Sequence, residues 1–285
     1  MRWERGRRSD NIEDRRGMRV SGRGLAGGGI GAIVLALVAM YFGVDPSVVL
    51  NQAGNLAPTQ TEQQAPTFSP EEEKLKEFMS VVLADTEDVW GTLFRDSGQQ
   101  YVPPKLVLFS GAVQSACGFA EAAMGPFYCP GDQKLYLDMS FFNELAQRHD
   151  APGDFAQAYV VAHEVGHHVQ TLLGVSKQVQ AARQRASETE GNALQVRMEL
   201  QADCFAGVWT HHANKARQIL EPGDTEEALA AAAGVGDDRL QKQARGVVVP
   251  ESFTHGSSAQ RMRWFSRGMQ TGDPGRCDTF KAAQL

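Results

Sequence analysis

Cysteine is scarce, with four residues in a chain of 285, and no two stand at C-x-x-C spacing, which argues against a cysteine metal site. Excess positive charge is missing too: 28 Lys and Arg face 34 Asp and Glu, a net charge of −6, so nucleic acid is not the expected partner or substrate. No internal repeat of usable period occurs, which sets aside solenoids and propellers. What is present, 42% hydrophobic and 22% charged residues, is globular composition able to build a sizeable core in one or two domains.

Charge disappears altogether over the 21 residues from Gly24 to Val44, a length sufficient to cross a bilayer as a helix and longer than the apolar core of most signal peptides. Residues 1–23 carry eight arginines against four acids, a net +4 that leaves −10 for the remainder. The positive-inside rule then predicts a cytoplasmic basic tail over 1–23 in contact with anionic lipid, a single transmembrane helix over 24–44, and an acidic domain on the extracytoplasmic side. Residues 45–68, rich in Gln, Thr, Pro, Ala and Asn, read as a flexible linker to a domain over 69–285. All four cysteines fall beyond the span, where disulfides are permitted. Of the three pairings available, the favoured ones are Cys117 with Cys129, a local staple, and Cys204 with Cys277, a clamp onto the C-terminal tail. The oligomeric state is not legible.

The chemistry centres on Val160-Val161-Ala162-His163-Glu164-Val165-Gly166-His167-His168-Val169, which contains His-Glu-x-x-His. On a helix, positions four apart share a face, so His163 and His167 can aim at one Zn²⁺ while Glu164 projects towards water on the metal. The plain alternative is a helix with two surface histidines. The uncharged flanks argue for burial, and buried ionisable groups need partners. A third ligand is expected downstream, where Glu199 and Asp203 stand at helical spacing.

Glu-x-x-x-Asp after His-Glu-x-x-His resembles the gluzincin metallopeptidases. That resemblance implies Glu199 as third zinc ligand and Asp203 as acceptor for a ligand histidine, which fixes the tautomer that leaves the other nitrogen for the metal. Phe253-Thr254-His255-Gly256-Ser257-Ser258 resembles the Thr-His-Pro segment of the CAAX prenyl protease group, with Gly256 in place of proline. By that likeness His255 donates to the developing oxyanion; otherwise it is a loop histidine helping to cap a helix. With Gly125-Pro126-Phe127-Tyr128-Cys129-Pro130 added, residues 70–280 resemble the bacterial neutral zinc metallopeptidases. The implied fold is α+β and zincin-like, a small β-sheet followed by a mostly helical C-terminal half. The implied activity is zinc-dependent endopeptidase action on protein or peptide substrates at the cell envelope, Glu164 serving as general base. Two other classes remain open: a non-catalytic zinc-binding envelope module, and an amidase acting on cell-wall peptides.

Local signals place the elements. Ser69-Pro70-Glu71-Glu72 starts a helix running to about Phe94; 105–110 and 134–138 read as strands. A short helix covers 139–148, and the metal helix runs from a cap at Asp154 to a stop at Gly174. The segment 176–190 is an exposed helical excursion, and the second ligand helix starts near Asn192 and Gln195. Thr225–Ala233 is helical, and 247–250 is strand or extended loop. Phe127-Tyr128-Cys129 or the Leu135 segment could serve as an edge strand lining the cleft.

Overall fold

Strand β2 (Lys105–Phe109) alternates its side chains between two buried faces, which accounts for its run of apolar residues. Leu106 and Leu108 face the main helical core, whereas Val107 and Phe109 face a smaller cluster with Val113 and Ala120. The computed structural model describes residues 1–18 and 67–285. Among them β1 (Ile12–Asp14), β2, β5 (Phe127–Cys129) and β6 (Lys134–Asp138) form one sheet in the order β1-β2-β6-β5. β1 and β6 run parallel to β2, with Ile12 opposite Leu106 and Leu106 opposite Leu135. β5 is antiparallel to β6 and forms the edge. The segment between β2 and β6 also holds a hairpin, β3 (Ala112–Ser115) with β4 (Gly118–Glu121), stapled to β5 by Cys117–Cys129.

Eight α-helices occur among the described residues, and the architecture is α+β. α1 (Pro70–Asp96) starts where the sequence indicates: Ser69 accepts from the Glu72 amide and Glu72 reaches back to Ser69, a reciprocal cap whose loss typically costs about 1 kcal/mol. α2 (Phe141–Arg148) leads to α3 (Asp154–Leu172), which is followed by α4 (Val175–Arg183) and the 30-residue α5 (Glu188–Arg217). α6 (Asp224–Gly234), α7 (Asp237–Arg245) and α8 (Ser258–Thr271) complete the helical half. α5 is its axis. It crosses α3 at Gly166, where an added Cβ would lie 2.9 Å from the Ala202 carbonyl oxygen, and it crosses α8 where Gly207 and Gly268 leave no room for a side chain. The Cys204–Cys277 bridge ties α5 to the C-terminal tail. Both disulfides are the favoured pairings.

Three expectations are corrected. α5 begins at Glu188, because Ser187 and Glu190 form the reciprocal cap that Asn192 and Gln195 were expected to mark. Asp154 is the first helical residue of α3 and not its cap; Gly153, at φ 110°, holds that place. Of the two readings open for 247–250, the loop is the one found: 247–249 lead into a 3-10 turn at Pro250–Ser252. The largest correction concerns the N-terminus. Residues 1–16 belong to the same compact unit as 68–285: Ile12–Asp14 is a strand of its sheet, and Trp3 packs edge-on against Phe78 at 5.2 Å. Several arginines of the expected basic tail find carboxylates within the protein. Arg7 pairs with Glu87 and Asp88, Arg8 with Glu77, and Arg16 with Asp14 and Glu73. Residues sharing a sheet share one side of any membrane, so a cytoplasmic N-terminus with the domain across the bilayer is not compatible with this unit. No helix among the described residues is long and apolar enough to cross a membrane; the expected span at 24–44 and nearly all of the expected linker lie outside the described residues.

Candidate metal centre

The crossing of α3 and α5 brings three donors together. His163 and His167 stand one turn apart on α3, with ring centroids 4.8 Å apart, and Glu199 projects from α5. His163 Nε2 lies 3.2 Å and His167 Nε2 3.4 Å from Glu199 Oε2, and the ligand atoms of all three residues fall within 4.8 Å of one another. A tetrahedral ion with bonds of about 2.0–2.1 Å spaces its ligand atoms roughly 3.3–3.4 Å apart. The donor set therefore fits zinc in chemistry and in spacing. Gly166, between the two histidines, sets the approach: with no side chain there, α3 meets the α5 backbone at Ala202, one turn from Glu199.

Each donor is held by a further hydrogen bond, as an oriented ligand requires. His163 Nδ1 donates to Asp203 Oδ1 at 2.8 Å. His167 Nδ1 donates to Gln170 Oε1 at 2.9 Å. Gln170 Nε2 in turn donates to the Met198 carbonyl and to Gln201 Oε1, and Gln201 Nε2 to the Cys277 carbonyl. The far oxygen of Glu199 accepts from Gln195 Nε2 at 2.8 Å. Asp203 is fully buried and would be costly unpaired. Arg261 meets it through two bonds of 2.9 Å, Nε to Oδ2 and Nη2 to Oδ1, and the Tyr159 hydroxyl also donates to it. Burial pushes the Asp203 carboxyl up, but the Arg261 guanidinium and His163 outweigh it and hold the group well below the usual carboxylate range. Burial likewise works to lower His163, yet Asp203 and Glu199 hold its imidazole up at about 9. The surroundings thus stabilise positive charge at this point, as a cation site must.

Glu164 is half-buried on the same helix and lines a cleft of about 1170 Å³ that also contains the donor triad. His255 lines the cleft as well and contributes no atom to the triad. Its orientation comes from Asp237, at the start of α7. Asp237 Oδ2 accepts the backbone amides of Thr254, His255 and Gly256, and Oδ1 accepts from His255 Nδ1 at 3.2 Å. That bond raises the His255 pKa against the effect of burial and leaves Nε2 unengaged by Asp237.

The sequence reading missed Gln170, although its i+3 spacing from His167 on one helix was a usable signal, and it missed Asp237, Tyr159 and the pairing role of Arg261, which reach their partners across 18 to 102 positions. It also missed His168, which is fully buried beside a ligand. His168 Nε2 donates to the Val102 carbonyl at 2.7 Å, so Nδ1 is an acceptor and takes the Tyr128 hydroxyl proton at 3.2 Å. This fastens edge strand β5 to α3 beside the cleft.

Comparison with known proteins agrees with this centre. The family model described as "Putative neutral zinc metallopeptidase" matches residues 1–280, both metal-motif helices and β1 included. The chain is 49% identical over 288 residues to "Uncharacterized protein YpfJ" of Escherichia coli (strain K12), covering 98% of this chain and 99% of that protein. It is 45% identical over 263 residues to "Uncharacterized protein Rv2575" of Mycobacterium tuberculosis (strain ATCC 25618 / H37Rv), covering 87% of this chain and 86% of that protein. No solved structure matches. A match over nearly the whole chain, together with a donor set spaced for zinc, leads to one conclusion: the chain belongs to the neutral zinc metallopeptidase family.

Proposed function

We infer that the protein is a zinc-dependent endopeptidase acting on protein or peptide substrates. The observation that carries this reading is the spacing of His163, His167 and Glu199 beside Glu164 in an open cleft. His163, His167 and Glu199 would hold the zinc, which would supply Lewis acidity and activate water at neutral pH. Asp203, Gln170 and Gln195 keep the three ligand side chains in the tautomer and orientation the ion requires.

The protein's own residues handle substrate and protons. β5 lies at the edge of its sheet and lines the cleft, so an extended peptide can add to it as a further strand. Glu164, whose carboxylate is engaged by no protein donor among the described residues, takes a proton from the attacking water and returns it to the departing amine. His255, oriented by Asp237, donates from Nε2 to the carbonyl oxygen as it gains negative charge.

Glu164→Gln tests the reading. Size and polarity are kept and no zinc ligand is lost, so zinc content and thermal midpoint should match the parent. Peptide hydrolysis should fall by about 10² to 10⁴-fold. A variant cleaving at the parent's rate would refute the assignment of Glu164. A zinc-loaded parent that cleaves no peptide would instead favour a binding module.

A further inference from the structure

Two surfaces of different chemistry wall the cleft. From the sheet side come Met124, Pro126, Phe127 and Phe141. Met124 is 70% exposed. A lone exposed methionine needs no explanation, but this one heads a contiguous apolar shelf within the cleft. The shelf is rigid at three points. Cys117–Cys129 staples its hairpin to β5, Phe127 stacks on Tyr136 with centroids 4.8 Å apart, and Gly125, at φ +76°, brings the chain against the Phe141 ring. Unbranched and polarisable, Met124 can mould itself to differing apolar side chains.

The other wall is the corner between α4 and α5, with Lys177, Gln180, Arg183 and Gln195. Lys177 and Arg183 are exposed. Among the described residues neither pairs with a carboxylate; Arg183 donates to the neutral Gln195 side chain at 2.7 Å. The remaining lining charges are mostly committed elsewhere. Arg261 serves Asp203, Glu199 belongs to the triad, and Glu144 is paired with Arg148 at 2.7 Å. Glu188, in the first turn of α5, is the acid on the corner itself. Two cations against one acid leave this wall positive, and a cleft with low-dielectric walls concentrates such a potential.

We propose that the cleft selects extended peptides in which an apolar side chain, seated on the Met124 shelf, and an acidic side chain, facing Lys177 and Arg183, flank the bond to be cut. This selection rests on the peptidase reading and deepens it by naming the substrate class.

The test uses the full-length, zinc-loaded chain and a peptide library varied on both sides of the cut, with cleavage sites read by mass spectrometry. Leu, Met or Phe should be enriched on one side of the cut and Asp or Glu on the other, each about tenfold, the scale of one apolar contact or a pair of partly screened charges. The double variant Lys177→Glu, Arg183→Glu should exchange the acidic preference for a basic one. Met124→Lys should abolish the apolar preference. All three positions are exposed, so zinc content and thermal midpoint serve as checks on folding. Cutting indifferent to these side chains, or variants that retain the parent's preferences, would overturn the selection and leave the peptidase reading intact. A zinc-loaded parent that cuts no library member overturns both.

Discussion

Asp203 and Gln170 each hold one of the two donor histidines by its Nδ1, with very different consequences if removed. Asp203 is the partner of a buried guanidinium, so Asp203→Ala would strand Arg261 without its counter-ion, a loss of about 3–5 kcal/mol. Such a variant confuses folding with metal binding. Gln170 is neutral, and Gln170→Met preserves its shape while removing the acceptor for His167 Nδ1. Zinc affinity, measured by competition with a chelator, should fall by about 10 to 100-fold. The change also leaves Gln201 Oε1 and the Met198 carbonyl without their donor, so a modest fall in thermal midpoint should accompany it. Unchanged zinc affinity would show that His167 does not depend on Gln170 for its orientation.

At the scale of the helix, ligand geometry rests on how closely α3 approaches α5. Gly166→Ala gains about 1 kcal/mol in helix propensity. The new Cβ, however, would stand 2.9 Å from the Ala202 carbonyl oxygen and 3.0 Å from its Cα. Both are backbone atoms that no rotamer change can move, and overpacking of this kind costs about 1–3 kcal/mol. Strain wins, and it acts along the line that sets the distance from Glu199 to the histidines. The expected result is zinc affinity at least tenfold weaker, with far-ultraviolet circular dichroism still helical. Full zinc affinity in Gly166→Ala would mean that the crossing has slack which these contacts do not show.

At the scale of the molecule, the N-terminal segment is built into the domain by charge as well as by β1. Arg16 is buried and pairs with Asp14 and Glu73, while its guanidinium stacks 3.9 Å above the Phe68 ring. The Asp14 carboxyl is held well below the usual range, chiefly by hydrogen bonding to Arg16, with Lys76 adding to the effect against partial burial. A carboxyl with a depressed folded-state pKa stabilises the fold above its unfolded value, near 4, and loses that contribution as pH falls towards the folded value. Arg16→Ala should therefore lower stability at neutral pH and flatten its dependence on pH below about 4, as seen in urea midpoints between pH 2 and 7. An acid limb as steep as the parent's would show that Asp14 does not contribute through Arg16.

Sequence alone determined what depends on spacing along one element. His163, Glu164 and His167 share a helix face because four residues make about one turn, and Ser69 starts a helix because an N-cap and its reciprocal partner lie three residues apart. The chain alone left three disulfide pairings open, and the fold decided for Cys117–Cys129 and Cys204–Cys277 by bringing those segments together. Glu199 and Asp203 were legible as a helical pair, but that they meet His163 depended on the close crossing of α3 and α5 at Gly166 and Ala202. Tertiary structure alone decided the rest. Arg261, Tyr159 and Asp237 reach the site across 18 to 102 residues through contacts with no periodic signature. The arginine-rich start of the chain shows the limit most plainly. Eight positive charges ahead of an apolar run read as a membrane flank, yet those described in ion pairs meet carboxylates of the same domain. Net charge records how many charges a segment carries, and only the fold determines where the opposite charges stand.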